Sequence, residues 1–459
     1  MDFKVTLFEK IKVAGFIIWR SGGPGQMYRT TRKLLWVAAS HRFKRSEAAK
    51  VNNSVQVNAW AEHTLLTYTD RSVNVRLKAG SAPRIWFILP ELDPTMIFGG
   101  YIALFQFITY LQSENLATGL IIQKNTGTKD ELLLALKGNA LIHNVIEKAE
   151  IESLGVSRTL RLGADDALVA YNWTTALIAQ KAGKFLNDPH FYYFAQEDER
   201  IFYPNDSTRF MAESVFHLGP RLICNSGNLR DHFKAEGLIP DGAECAVFEQ
   251  GIPPCVLPDV AELAGRKVRK FLFYGRPEDH AKRNLYTIAI MALERAIAAR
   301  AFSNEPWEFY MLGSSAMGET FSVQGREVKC LPRMGYVDYL SVLPGFDLGM
   351  CLMYAPHPSV PPFEMVRAGV VTVVNRYKSR DADWYAGISG NFVVGDATGQ
   401  GMAAALIEGA RKTADYENRL REAHSFHPDS WHETFTGITD QLSHRAFHTN
   451  DGAKVACSA

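Results

Sequence analysis

A chain of 459 residues, 47% apolar and 22% charged, is too long for one ordinary core and has the balance of a globular protein, which points to two domains plus extensions. A formal net charge of +1 excludes the uniformly basic character of a nucleic-acid binder, so no nucleic-acid partner is expected. The six cysteines carry no C-x-x-C and no paired-histidine spacing, which predicts free thiols in a reducing cytoplasm, no disulfide framework and no metal site.

The charge is unevenly spread. Residues 1–50 hold 11 Lys and Arg against 3 Asp and Glu, and the remainder holds 39 against 46. Residues 1–80 read as a basic amphipathic N-terminal helical arm, in which Phe3, Phe8, Phe16, Trp19 and Trp36 alternate with Arg20, Arg29, Arg32, Lys33 and Arg42. Such an arm suits an anionic membrane surface or a partner subunit, and packing on its own domain is the competing reading. Lys4, Glu9, Lys10 and Lys12 break the apolar run that a signal peptide needs, so the expected location is the cytoplasm, peripheral to the inner face of the membrane at most. Residues 94–113 lack charge but open on Pro94 and contain Gly99 and Gly100, which favours a strand–turn–helix entry over a membrane span.

From residue 83 short apolar runs alternate with helical patterns. Strands are expected at 84–90, 117–123, 167–171, 190–196, 220–225 and 245–250, with helices at 101–113, 130–137, 174–184 and 207–217 between them. The pattern restarts after Gly251-Ile252-Pro253-Pro254, read as a hinge. Its strands are expected at 269–274, 307–312, 327–331, 347–352, 370–375 and 391–394, and its helices at 283–301, 337–343, 362–368 and 399–411. Strands alternating with helices predict an α/β chain with two Rossmann-like domains, 81–250 and 251–415, facing across a cleft, followed by a C-terminal helix and tail over 416–459, frayed after His448.

The second half holds the denser chemistry. Gly275 ends a strand and Arg276 follows at its carboxyl edge, where open α/β sheets bind ligands. Lys282 and Arg283 are expected to begin the next helix, so cations would flank an anion from two sides; surface cations near a helix start are the competing reading. Pro361-Pro362 should pin a further helix whose first turn carries Glu364, with free backbone N–H groups meeting phosphate, or with Glu364 as an ordinary helix-dipole carboxylate. In the first half, Gly99-Gly100 opens a helix, which permits close backbone approach or makes a plain turn. Gln196-Glu197-Asp198-Glu199 follows a strand and is either a solvated face or part of an acceptor site; Trp173 is an acceptor-side or core residue. The D-x-D at Asp381 and Asp383 lies in a charged loop and is read as surface, and no dinucleotide fingerprint is present.

These elements resemble the GT-B glycosyltransferases of the retaining family-four type, with their G-R…K element and their E-x7-E motif. The second glutamate of that motif matches Glu364, while the first would fall on Pro356. The chain is more specifically similar to the bacterial rhamnosyltransferases that build surface glycans. It carries APHPSVPPFEM at 355–365, FYGRP at 273–277 and YFAQEDERIFYP at 193–204, although the branch has Asp where Glu197 stands. The resemblance covers roughly residues 83–430 and implies a GT-B fold, a nucleotide-sugar donor and a glycan or lipid-linked glycan acceptor, with retention of configuration and no metal or other cofactor.

By the same resemblance Arg276, Arg283 and the competing Lys282 would neutralise the leaving diphosphate beside Gly275. Glu364 would bind the ribose, and Gly335, Tyr336 and Val337 the base. His357, Ser359 and Val360 would face the sugar and phosphates, while Gly99, Gly100, Trp173, Gln196, Glu197 and Glu199 would lie on the acceptor side. The missing carboxylate at Pro356 makes a deoxysugar such as L-rhamnose, from its dTDP donor, more plausible than glucose. A GT-B nucleotide-sugar epimerase and a silent nucleotide-sugar-binding scaffold are the rival expectations.

Overall fold

The structure is a computed structural model, and it describes residues 73–92, 99–123, 128–154, 158–314, 319–332 and 334–448. The basic arm expected over 1–80 lies outside the described residues up to position 72. From there the chain enters strand β1 (Asn74–Lys78), which the sequence pattern did not reveal because all its residues are exposed or half-buried, with no buried face. It pairs in parallel with β5 (Thr159–Gly163), forming a separate two-stranded sheet.

The first large sheet contains β2 (Ile85–Leu89), β3 (Thr118–Ile122), β4 (Glu150–Ser153), β6 (Ala167–Ala170), β7 (Tyr192–Ala195), β8 (Arg221–Asn225) and β9 (Cys245–Phe248). Their spatial order is β4-β3-β2-β6-β7-β8-β9, and every pair is parallel. β2, β3, β6 and β7 are buried along their whole length, which is why they read as continuous apolar runs.

The second sheet contains β10 (Arg269–Tyr274), β11 (Trp307–Leu312), β12 (Thr320–Val323), β13 (Arg326–Cys330), β14 (Leu348–Cys351), β15 (Val371–Asn375) and β16 (Phe392–Gly395). The order β12-β13-β11-β10-β14-β15-β16 is parallel except for the β12–β13 hairpin at one edge. Both sheets have the doubly wound order of Rossmann-like units. The chain reverses direction across the sheet between β2 and β6 in the first and between β10 and β14 in the second. Ligand crevices open at such switch points, outside the carboxyl ends of the strands.

The last segment returns to the first sheet. Phe435, Ile438, Leu442, Ala446 and Phe447 belong to the same buried cluster as Phe87, Phe107 and Phe194. The segment expected to act as a hinge is held by this return: Ile252 N donates to Pro428 O at 2.8 Å, and a Cβ on Gly251 would stand 2.6 Å from the Ser430 carbonyl carbon. Among the described residues no helix is long and apolar enough to cross a membrane. Residues 99–113 of the uncharged stretch form one largely buried apolar helix, Gly99–Ser113, packed on the first sheet.

Candidate functional site

The site is built at the second switch point. β10 delivers Gly275, whose amide donates to Leu312 O at 2.8 Å, and the chain is so close there that a Cβ would meet Phe273 at 2.6 Å. Gly313, after β11, adopts φ +118°, and a Cβ there would stand 3.1 Å from Gly275 O and 3.2 Å from the Arg276 side chain. Two glycines thus let two strand ends converge, which sets the position of Arg276. The helix expected from residue 283 begins later. Asp279–Asn284 is a 3-10 turn, Leu285 is left-handed with φ 51°, and the α-helix runs over Tyr286–Ala298.

That turn separates the two cations expected to begin the helix. The Lys282 side chain is 77% exposed and pairs with Asp279 at 3.0 Å. Arg283 is half-buried, and its guanidinium stands 5.0 Å over the Phe202 ring from the first half. Burial lowers its pKa, Glu197 opposes that shift, and Arg276 adds to it. Tyr274, at the end of β10, joins them to Glu364. Burial pushes its hydroxyl up to about 12, and Arg276, Glu364 and Arg283 are all within electrostatic reach of it.

Glu364 lies in the helix Pro361–Arg367 and is 5% exposed. Burial pushes its carboxyl up to about 7, while Tyr336 and Tyr339 pull the other way. Tyr336 donates its hydroxyl to Glu364 at 2.9 Å, and the Tyr339 hydroxyl approaches the same carboxylate without a well-formed hydrogen bond. Gly335 caps the helix Tyr336–Val342, and the Val337 side chain is exposed. The free amides expected in the Glu364 turn are not there: Pro361 and Pro362 have none, and Phe363 N and Glu364 N both donate to Val360 O.

The loop 352–360 after β14 is held from three directions. Asn375 accepts from Met353 N at 2.7 Å and donates back to Met353 O. Asn284 donates to Leu352 O at 3.3 Å. Arg380, buried at 1% exposure, donates to Met353 O and Ala355 O. The D-x-D at Asp381 and Asp383 is expected at the surface. Asp381 does cap a surface helix, Ala382–Ala386, but Arg380 beside it is an internal brace. Its charge within a polar run concealed this, and no local pattern would have shown it. The loop ends in a strained turn. Ser359 has φ +67° and donates its amide to His357 Nδ1 at 3.0 Å, which leaves the ring proton on Nε2. Burial holds His357 down at about 3, with Arg380 and Arg283 adding to the effect, so the imidazole is neutral.

The first half contributes Glu197. Its Oε1 accepts from Asp198 N at 3.0 Å and from His357 N at 3.2 Å, bridging the two halves. Burial raises its pKa to about 7, against the pull of those amides and of Arg283. A second bridge lies beside it: Lys378 reaches Glu236 at 2.6 Å and His232 Nδ1 at 3.3 Å, and His232 Nε2 meets Asp198. Gly100 abuts Tyr171 and Gln196, where a Cβ would lie 2.8 and 3.5 Å away, while among the described residues nothing lies within 4 Å of a Cβ on Gly99. Gln196 accepts from Asn225 at 2.9 Å.

Trp173 and Glu199 take a different place. Trp173 is buried, its amide donates to Glu199 at 2.7 Å and its indole to Tyr203 at 2.9 Å. They anchor the start of the helix Trp173–Gly183. The structure therefore gathers Gly275, Arg276, Arg283, Glu364, Tyr336, His357, Ser359 and Glu197, and leaves Lys282, Val337, Trp173 and Glu199 outside that group. Tyr274, the second residue of FYGRP, belongs to the site, and so do Asn284, Asn375 and Arg380, to which the sequence alone gave no role. Two neighbouring guanidinium groups suit a polyanion such as a diphosphate, and a buried carboxylate suits a hydroxyl donor.

The fold is GT-B. A solved structure titled Anabaena Alr3699/HepE in complex with UDP-glucose aligns with a TM-score of 0.52 at 15% identity, over 79% of this chain and all of that one. The family described as WsaF, C-terminal domain, matches residues 269–407, from β10 through most of the helix Gly399–Lys412. A curated relative, the O-antigen biosynthesis protein RfbC of Myxococcus xanthus, is 27% identical over 267 residues. That alignment takes in 55% of this chain and 19% of the relative, so the chain matches about a fifth of the relative's length.

Proposed function

We propose that the protein is a glycosyltransferase of surface-glycan assembly that moves a sugar from a nucleoside-diphosphate donor to a glycan acceptor. The observation that carries this reading is the placement of Arg276 and Arg283 after β10 and of Glu364 in the helix after β14, beyond the carboxyl ends of the two strands that flank the switch point. In this reading Arg276 and Arg283 take the charge of the departing diphosphate, which is electrostatic catalysis by pre-placed cations. Glu364, released from Tyr336, accepts from the ribose hydroxyls. Glu197 and the His357–Ser359 turn bound the space where donor sugar and acceptor hydroxyl meet. The donor C1–O bond to phosphate breaks, the acceptor oxygen bonds to C1, and the acceptor proton leaves with the diphosphate, with configuration retained and no metal taking part.

The match to the WsaF C-terminal family and the likeness to an O-antigen biosynthesis protein support surface glycan as the product. We read the donor sugar as a deoxyhexose, L-rhamnose from dTDP-rhamnose, because Pro356 offers no carboxylate to a further sugar hydroxyl. A thermal-shift panel of dTDP-rhamnose, UDP-glucose and GDP-mannose tests this, since a ligand at one hundred times its Kd stabilises by about 2.7 kcal/mol. The largest shift is expected with dTDP-rhamnose. Equal shifts with all three would remove the sugar assignment, and no shift with any would remove the donor site.

A further inference from the structure

The junction between the halves carries aromatic rings that the donor reading does not use. Tyr354, just beyond β14, is 54% exposed, and its amide donates to Arg283 O at 2.8 Å. Phe202, from the first half, is 45% exposed although Arg283 covers part of its ring. Tyr377 stands edge-on to Tyr354, with ring centroids 4.8 Å apart, and it lies within electrostatic reach of Glu197 and Asp198. One ring from the first half and two from the second are thus arranged about Arg283, with the Glu197 carboxylate and the Lys378 ammonium beside them.

Exposed aromatic rings that cluster and are rimmed by polar groups mark ligand or interaction surfaces. Their π faces are negative and attract the weakly positive C–H bonds of an apolar ligand face. Charged and hydrogen-bonding groups at their rim select a ligand that is polar around its edge. A pyranose has that construction: a C–H face, bounded by hydroxyl groups.

We propose that Tyr354 and Phe202 form a subsite for a pyranose ring of the acceptor glycan, Tyr354 held by Tyr377 and the sugar's hydroxyl rim met by Glu197 and Lys378. The subsite rests on the glycosyltransferase reading and deepens it, because it selects an oligosaccharide over a lone monosaccharide as acceptor. The alternative use of Tyr354, stacking on the donor nucleobase, is disfavoured by Phe202, which places half of the platform on the opposite side of the cleft.

The test uses the full chain and two variants at exposed rings. Tyr354→Ala removes one face, and Phe202→Leu keeps an apolar surface beneath Arg283 while removing the flat ring. Tyr354→Phe serves as the conservative control. Binding of defined rhamno-, manno- and gluco-trisaccharides is measured by saturation-transfer NMR titration, and binding of thymidine and uridine diphosphates by calorimetry. At least one trisaccharide should bind the wild-type chain, at least fivefold more weakly to Tyr354→Ala and Phe202→Leu, and within twofold of wild type to Tyr354→Phe. The diphosphate affinities should stay the same in all variants. Failure of the wild type to bind any trisaccharide, or undiminished binding by both variants, overturns the proposal. Lost diphosphate affinity in Tyr354→Ala with trisaccharide binding intact assigns the ring to the nucleobase and also overturns it. A wild type that binds trisaccharide but neither diphosphate leaves the subsite standing and refutes the donor site instead.

Discussion

Replacing Glu364 by glutamine should stabilise the protein at pH 8 and leave its stability near neutral effect at pH 4.5. Burial raises the Glu364 carboxyl from its usual 4.5 to about 7. A carboxyl held above its unfolded value binds its proton more tightly in the fold. Stability is therefore undiminished below about pH 4.5, falls as pH rises, and carries the whole penalty above about pH 7. A gap of about 2.5 pH units at about 1.4 kcal/mol each comes to roughly 3 kcal/mol. Glutamine has the same shape, keeps an oxygen to accept the Tyr336 hydroxyl and cannot ionise. The difference in unfolding free energy between Glu364→Gln and wild type should thus grow by about 3 kcal/mol from pH 4.5 to pH 8. Glu197, Glu199 and Glu249, which burial also raises to about 7, titrate in both proteins and cancel. Urea unfolding at pH 4.5, 6, 7 and 8 reads the difference directly. A difference that stays constant with pH would refute the claim that the Glu364 site penalises a charged carboxylate.

Other outcomes follow from the same geometry. Arg276→Ala should weaken nucleoside-diphosphate binding at least tenfold by calorimetry, about 1.4 kcal/mol or more, without a large change in thermal midpoint. Gly313→Ala should cost about 1–3 kcal/mol in urea unfolding, because φ is +118° and a Cβ would stand 3.1 Å from the Gly275 carbonyl oxygen. Phe435→Ala should cost about 3–5 kcal/mol, since the ring is wholly buried against Phe107 and Phe248 and ties the returning chain to the first sheet.

The two parallel sheets were legible because fully buried strands read as unbroken apolar runs: 84–90, 167–171 and 370–375 contain β2, β6 and β15. β1 and β5 were missed because a two-stranded sheet with one wet face leaves mixed patterns. The start of the helix after β10 was misplaced because a 3-10 turn and an α-helix share the same residue preferences over so short a stretch; only the left-handed Leu285 divides them. Arg276, Arg283 and Glu364 stand beside turn residues and were visible as a pattern. The buried work of Arg380 was not, because burial is a property of the whole fold and an arginine in a charged run looks solvated. Glu199 stands in the YFAQEDERIFYP motif, and sequence alone left open whether Trp173 is a core or an acceptor-side residue. Cross-half partners such as Glu197 and His357, 160 residues apart, become apparent only when both sheets are built.

The central claim is that Arg276, Arg283 and Glu364 hold a nucleoside-diphosphate sugar whose sugar is transferred. It is tested most directly by incubating the full chain and its Arg276→Ala variant with dTDP-rhamnose and a panel of defined trisaccharides. Released dTDP and the mass of the glycan are then followed together. The wild-type chain should release dTDP in step with the addition of one deoxyhexose to an acceptor, and Arg276→Ala should do so at least a hundredfold more slowly. Equal rates in the two proteins, or no sugar transferred from dTDP-, UDP- or GDP-linked donors by the wild type, would contradict the account.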